Sequence, residues 1–262
     1  MPRLGVNNIG MHYVESGHGS PLLLLHGVGG SHEMWLPIVP DLARSHRVIA
    51  ADHRGHGASD KPRGSYTISL FCQDWLALMD ALKVDRAHLV GLSMGGAIAM
   101  RLAVEHPPRV RSLVLVDTWA FPHPDFLALM RKRVERLASG DLAAYADEAI
   151  PQVYSPVFIA ANPGALAQYR ARVAQLNPDS VRAAVEACMT HDMRGRQAEI
   201  KAPTLVVVGS EDRLTPPHHS EYLARTIPGA RLAVIQGSGH IPHLERPGEF
   251  LKVVGDFTAS TS

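Results

Sequence analysis

The chain has 262 residues, 46% of them hydrophobic and 19% charged, and its 26 basic and 25 acidic side chains leave a formal net charge of +1. This composition is typical of a globular protein with a substantial core, and the near-neutral charge gives no electrostatic basis for binding nucleic acid. Two cysteines are too few for a disulfide framework. No membrane span or signal peptide is apparent, so we expect a cytoplasmic protein with no membrane partner.

Strands and helices alternate along the first 118 residues. Apolar runs predict strands at 10–15, 22–25, 48–51, 87–90 and 113–116. Helical periodicity predicts helices at 35–43, 68–82 and 96–103. This alternation predicts a single α/β domain with a mostly parallel central sheet flanked by helices.

The pattern changes between residues 119 and 197. Helices are predicted at 126–138, 142–150, 165–176 and 180–189, punctuated by prolines, before strands return at 205–209 and 231–235. A helical insertion between two parallel strands cannot lie within the sheet, so we expect it to cover the sheet's carboxyl end. The domain prediction is therefore a core of residues 1–118 and 198–262 with a helical cap of residues 119–197.

Residues 91–95, Gly-Leu-Ser-Met-Gly, place Ser93 between a predicted strand and a predicted helix. A serine at such a turn is lifted out of the sheet, and only glycine fits two residues before and after it. The helix N-terminus beneath Ser93 favours the negative charge that forms when an acyl carbon is attacked. The pattern predicts a nucleophilic serine.

A nucleophilic serine needs a base and an acid that orients the base. Asp212 follows the predicted strand 205–209, and His240 follows the predicted strand 231–235, which gives the chain order Ser, Asp, His. All three side chains should meet beyond the carboxyl ends of the strands. Two alternatives stay open: Asp117, which also ends a strand, could replace Asp212, and His243 lies close to His240.

No metal or cofactor site is predicted. The histidines lack the H-E-x-x-H spacing and the cysteines lack C-x-x-C, the usual zinc patterns. The Gly-Val-Gly-Gly stretch at 27–30 lacks the following helix and distal acid of a dinucleotide site. We therefore expect an enzyme without cofactor or metal.

With these motifs, the chain resembles the α/β-hydrolase family over nearly its full length. The matching segments are 25–31, 52–59, 91–95, 209–212 and 239–245. The resemblance implies an α/β-hydrolase fold with a helical cap, and an oxyanion hole formed by the backbone N–H groups of Val28 and Met94. The glycines around Val28 and the place of Met94 directly after the serine agree with that role.

The resemblance also narrows the reaction. A serine at position 93 excludes the dehalogenases and epoxide hydrolases of the family, whose nucleophile is a carboxylate. The Met94-Gly95-Gly96 continuation is similar to 3-oxoadipate enol-lactonases, perhydrolases and arylesterases. We expect a serine hydrolase acting on small-molecule esters or lactones. The alternatives are a slow-turnover receptor, a C–C bond hydrolase or a perhydrolase of the same fold.

Large side chains of the cap and of the loop after residue 30 are expected to contact substrate. The predicted substrate-binding residues are Trp35, Trp119, Phe121, Tyr154, Phe158 and Met189. The oligomeric state, the physiological substrate and the choice between ester and lactone are left open by the sequence.

Overall fold

Eight strands form one sheet in the computed structural model, which describes residues 2–261. In chain order the strands are β1 (Arg3–Val6), β2 (Ile9–Ser16), β3 (Ser20–Leu25), β4 (His46–Ala51), β5 (Ala87–Leu92), β6 (Val110–Val116), β7 (Thr204–Gly209) and β8 (Arg231–Ile235). Their spatial order is β1-β2-β4-β3-β5-β6-β7-β8, with β2 antiparallel to both of its neighbours and the pairs from β4 to β8 parallel. The predicted mostly parallel sheet is confirmed.

Helices lie on both faces of this sheet. In chain order, the α-helices of the structure are α1 (Val39–Leu42), α2 (Ile68–Ala81), α3 (Met94–Glu105), α4 (Pro124–Ala138), α5 (Leu142–Val153), α6 (Pro156–Ala161), α7 (Pro163–Val173), α8 (Pro178–Met189), α9 (Pro217–Thr226), α10 (Pro242–Glu245) and α11 (Pro247–Ala259). Consecutive leucines of β3 explain why the sequence of a strand in this sheet is an unbroken apolar run. Leu23 packs in the same core as Trp75 of α2, whereas Leu24 packs in a second core with Phe250 of α11. Both faces of the strand are therefore buried.

The helices α4 to α8 follow β6 and precede β7, as the predicted insertion requires. Within this group α4 packs against α8, and α5 packs against α7. The boundaries of a cap domain at residues 119 and 197 stay a prediction. None of the helices within residues 2–261 is both long enough and apolar enough to cross a bilayer.

Proline bears on two of the predicted helices, and it breaks one of them. The helix expected at 35–43 is instead a 3-10 helix, His32–Trp35, followed by the single turn α1. Pro37 and Pro40 have no N–H to donate, so a continuous helical ladder cannot form there. By contrast α5 continues through Pro151 to Val153, where one missing hydrogen bond in the last turn is tolerated.

Candidate active site

Ser93 occupies a strained turn between β5 and α3. Its backbone angles, φ 55° and ψ −117°, lie in a region that residues with a Cβ rarely adopt. The Ser93 N–H donates to the carbonyl oxygen of Val116 at 2.9 Å, and the Thr118 hydroxyl donates to the Ser93 carbonyl oxygen at 2.8 Å. Strain of about 1–3 kcal/mol persists only where neighbours fix the conformation, and such residues concentrate at functional sites.

The two glycines that flank this turn have no room for a side chain. A Cβ on Gly91 would collide with the carbonyl oxygen of Gly95, and a Cβ on Gly95 would collide with the carbonyl oxygen of Leu25. The prediction that only glycine fits at both positions is confirmed.

The loop after β3 lies directly against Ser93. A Cβ on Gly27 would lie 3.2 Å from the Ser93 Cβ, and Val28 lines the same cavity as Ser93. Met94 is the first residue of α3, where a backbone N–H has no intrahelical acceptor. Both predicted oxyanion donors therefore belong to segments next to Ser93, and their role stays a prediction.

His26 holds this loop in place and does not face the cavity. Its Nδ1 lies 2.7 Å from the Gly27 carbonyl oxygen, while its Nε2 accepts the backbone N–H of His53 at 3.0 Å. Complete burial, with the nearby His53 and His56 adding to it, lowers the pKa of His26 well below its usual value. His26 is thus a neutral, fully engaged side chain that braces the loop.

His240 and Asp212 form a direct hydrogen bond at the carboxyl ends of β8 and β7. His240 Nδ1 lies 2.9 Å from Asp212 Oδ2. Asp212 also accepts the N–H groups of Leu214 and Thr215 at 2.8 and 3.0 Å and the Thr215 hydroxyl at 2.7 Å. Burial acts to raise the pKa of Asp212, but the charge of His240 and these hydrogen bonds hold that pKa below its usual value.

The same hydrogen bond assigns the histidine tautomer. A proton on His240 Nδ1 is directed at the Asp212 carboxylate, which leaves a lone pair on Nε2. The His240 ring lines the same cavity as Ser93. The structure thus places an imidazole bonded to a carboxylate in the cavity of the strained serine, and the roles of base and orienting acid stay a prediction.

Asp117 contacts Asp212 and not the imidazole of His240. Its Oδ1 accepts the Gly209 N–H at 2.9 Å, and the side chain is fully buried. Burial, followed by the charge of Asp212, raises the pKa of Asp117 well above its usual value. The raised pKa favours a protonated Asp117, whose buried Oδ2 is available to donate to Asp212.

His243 is a buried packing residue in the loop that carries His240. Its ring centroid lies 4.4 Å from that of Trp35, and the side chain is fully buried. Burial lowers the pKa of His243 to about 3, so the ring stays neutral. No carboxylate among residues 2–261 bonds to it, which leaves His240 as the histidine with an orienting acid.

Glu245 joins the His240 loop to the inserted helices. One carboxylate oxygen accepts the Gly239 N–H at 3.0 Å, and the other accepts the Ser155 N–H at 3.1 Å. The His240 N–H in turn donates to the Val153 carbonyl oxygen at 2.8 Å. These contacts fix the loop of His240 against the turn between α5 and α6.

A family model described as alpha/beta hydrolase fold matches residues 20–247. The chain belongs to the α/β-hydrolase family. RutD of Azorhizobium caulinodans, provisionally named a carbamate hydrolase, is 34% identical and covers 98% of this chain and 98% of its own. The enol-lactonase from Burkholderia xenovorans is 32% identical with a TM-score of 0.94, covering 98% of this chain and 100% of its own. The protein is therefore a hydrolase, and its relatives include proteins named as a carbamate hydrolase and an enol-lactonase.

A second similar structure is an esterase. The thermophilic esterase from Thermogutta terrifontis, solved with malate bound, is 29% identical with a TM-score of 0.92 and covers 99% of this chain and 98% of its own. The sheet and the inserted helices of this α/β-hydrolase are thus shared with proteins of the family across almost the full chain.

Of the six predicted substrate-binding residues, Trp119 lines the cavity with Ser93 and the other five do not. Trp35 is fully buried against His243 below the site. Phe121 is half-buried outside this cavity, and its ring centroid lies 5.1 Å from that of Tyr222. The remaining three pack within the insertion: Tyr154 and Phe158 stack at 5.2 Å, and Met189 is half-buried at the end of α8. Size and aromaticity alone did not identify the cavity lining.

The inserted helices instead present side chains that the sequence reasoning missed. The missed cavity-lining residues of this insertion include Phe126, Met130, Arg133, Tyr145, Tyr169 and Arg172. Helical spacing contains the signal for some of them. Phe126, Met130 and Arg133 follow one another at intervals of four and three residues along α4, which places a charged residue on an apolar stripe.

Three groups of histidine and acidic side chains within residues 2–261 bring possible ligand atoms within 4.8 Å of one another. In the most buried group outside the Ser93 cavity, His12 and His32 direct Nδ1 at Asp52, at 3.1 and 2.9 Å. These are hydrogen-bond distances, which explains the cluster without an ion. A site without metal or cofactor stays a prediction.

Proposed function

We propose that this hydrolase cleaves carboxylic esters or lactones through a triad of Ser93, His240 and Asp212. The observation that carries the proposal is the 2.9 Å contact between His240 Nδ1 and Asp212 Oδ2, with the His240 ring lining the same cavity as the strained Ser93. The enol-lactonase and esterase relatives support acyl substrates.

The proposed reaction is acyl transfer in two steps. His240 Nε2 takes the Ser93 hydroxyl proton as the oxygen attacks the carbonyl carbon, and Asp212 stabilises the imidazolium that forms. The N–H groups of Val28 and Met94 hold the oxyanion. His240 then protonates the leaving alkoxide and activates water to release the acyl group. With a lactone the alkoxide stays attached to the acyl group, so a single hydroxy or keto acid is released.

The experiment compares the wild type with Ser93→Ala on 4-nitrophenyl acetate, γ-butyrolactone and ethyl carbamate. The carbamate is included because of the name that RutD carries. We expect the acyl esters or the lactone to turn over and the variant to be inactive. Full activity of the variant would overturn the proposal.

Pre-steady-state kinetics distinguish the enzyme from a receptor that reacts slowly. An enzyme releases nitrophenol in many turnovers per site, whereas a receptor releases about one equivalent and then stops. Turnover that continues beyond one equivalent is the expected result.

A further inference from the structure

Two arginines of the inserted helices line the Ser93 cavity without an acidic partner. They are Arg133 on α4 and Arg172 on α7. Among residues 2–261 neither is ion-paired with an aspartate or glutamate, and the Nε atom of each is buried without a hydrogen-bond partner. Both side chains are half-buried, and a cation that loses part of its water on burial is normally paired.

Other arginines on the same two helices behave differently. Arg136 of α4 forms an ion pair with Glu148, and Arg170 of α7 forms one with Asp147 at 2.7 Å. Both of these pairs lie on the protein surface. Arg136 and Arg170 thus have acidic partners, whereas the two cavity arginines and the exposed Arg131 of α4 have no ion pair among residues 2–261.

The polar partners of the cavity arginines carry no charge. Arg133 Nη2 donates to the Gln152 side-chain oxygen at 2.9 Å. Beside Arg172 lies the phenol of Tyr154, whose pKa is raised by burial although the arginine acts to lower it. Neither partner neutralises a guanidinium.

Aromatic rings line the space around the two cations. The Arg133 Cζ lies 5.9 Å from the ring centroid of Tyr145, and the Arg172 Cζ lies 5.2 Å from that of Tyr169. Burial raises the pKa of Tyr169 strongly, although both arginines act to lower it, so this phenol also stays neutral. The cavity therefore carries two positive charges that the described part of the chain does not balance.

We infer that Arg133 and Arg172 bind a carboxylate group of the substrate, so that the site takes anionic esters or lactones. The inference rests on the proposed hydrolysis at Ser93 and names its substrate class. A guanidinium matches the planar carboxylate with paired, charge-assisted hydrogen bonds. The apolar side chains of Phe126 and Met130, in the same cavity, suit a short hydrocarbon chain between the carboxylate and the bond that is cleaved.

The test compares two esters that differ in charge and have the same shape. Monomethyl adipate carries a carboxylate at the far end, and its amide counterpart, methyl 5-carbamoylpentanoate, is neutral. Methanol release from each gives kcat/KM, and the glutarate and pimelate pairs test shorter and longer spacings. We expect the anion to be preferred about 10- to 100-fold at the best spacing, as typical hydrogen bonds to charged groups imply.

Matched variants locate the source of this preference. Arg133→Met and Arg172→Met remove one cavity charge each while keeping an apolar stem, and both should lower kcat/KM for the anion far more than for the amide. Arg136→Met and Arg170→Met remove surface charges from the same helices and should leave the ratio unchanged. Activity on the neutral amide reports whether each variant is folded.

The outcomes separate this inference from the proposed function. If the wild type hydrolyses both esters equally at all three spacings, or if the double variant Arg133→Met/Arg172→Met keeps the preference, the carboxylate site is refuted while hydrolysis at Ser93 stands. If Ser93→Ala remains active, the proposed function fails instead. Calorimetric binding of monomethyl adipate to Ser93→Ala, weakened by Arg172→Met, would still support the carboxylate site.

Discussion

The cavity has two walls of different character. The sheet wall consists of loops that follow β3, β5, β7 and β8, and its polar groups are bonded to one another. Asp212 alone accepts four hydrogen bonds from Leu214, Thr215 and His240. The helix wall is mostly apolar and aromatic, and its two arginines lack acidic partners. The sheet wall therefore holds the proposed triad, whereas the helix wall holds the two arginines of the proposed carboxylate site.

Strand register explains why the sheet wall is fixed. The parallel pairs β5–β6 and β7–β8 end in register, with Leu92 opposite Val116 and Gly209 opposite Ile235. The loops that carry the triad candidates therefore begin at the same edge. The helix wall is joined to this edge by the Glu245 carboxylate and by packing, so its residues can change without altering that alignment.

The largest expected effect comes from removing the Ser93 hydroxyl, the proposed nucleophile of the sheet wall. Ser93→Ala should lower kcat for ester hydrolysis by several orders of magnitude, about 10⁶-fold in a well-studied triad enzyme. Circular dichroism should show an unchanged fold. Residual activity within tenfold of the wild type would mean that Ser93 is not the nucleophile and that the sheet wall reacts through another group.

The second effect distinguishes the two carboxyl groups of the sheet wall. Asp212→Asn should reduce kcat about 10⁴-fold, because an amide that donates to Nδ1 leaves the imidazole in the wrong tautomer. Asp117→Asn should reduce it far less, since the amide can still donate to Asp212 and accept from Gly209. The kcat of both variants on one ester decides the question. If Asp117→Asn were the inactive variant, the orienting acid would follow β6.

The third effect concerns Trp119, which lies in the segment that leads from β6 into the helix wall. Trp119→Ala should shift the kcat/KM ratio between 4-nitrophenyl acetate and butyrate by about 1–3 kcal/mol, because Trp119 lines the cavity and a methylene-sized mismatch is worth that much. Phe158→Ala is the control, since Phe158 stacks on Tyr154 outside the cavity lining. The control should lower stability and leave the ratio unchanged. A constant ratio in both variants would assign acyl selectivity to the sheet wall.

The sequence predicted the sheet wall well because each of its residues is fixed by local pattern. An apolar run followed by glycine and a polar residue identifies a strand end, and parallel strands bring their ends together. Ser93, Asp212 and His240 were predicted in this way, and the structure brings them to the same edge, while their catalytic roles stay a prediction. The remaining ambiguity, Asp117 against Asp212, depends on which carboxylate reaches His240, and no local pattern encodes that distance.

The helix wall was predicted poorly because helical periodicity shows that a face is buried without showing what it is buried against. In the non-helical segment before α4, Phe121 and Trp119 are two residues apart, yet Trp119 lines the cavity and Phe121 does not. Arg133 was overlooked because a charged residue is expected at the surface. Arg133 lies on the apolar stripe of α4, and that position indicates a cation of the cavity only when the structure shows that no acidic side chain pairs with it.

The smallest expected effect tests whether Asp117 keeps its proton in the folded protein. Its folded-state pKa is raised, so between the unfolded value of about 3.9 and that folded value the native state binds more protons than the unfolded state. The stability contribution of Asp117 is therefore full below about pH 4 and falls as the pH rises, by up to tenfold in the unfolding equilibrium constant per pH unit. Asp117→Asn removes this titration.

Urea unfolding of the wild type and of Asp117→Asn at pH 5 and pH 8 gives the comparison, because groups that do not contact Asp117 titrate alike in the two proteins. We expect the variant to gain stability relative to the wild type as the pH rises. Asp256→Asn, an exposed change on α11, should show no such trend. If the difference between wild type and Asp117→Asn stayed constant from pH 5 to pH 8, Asp117 would be ionised beside Asp212, and the sheet wall would carry one more buried negative charge than its hydrogen bonds explain.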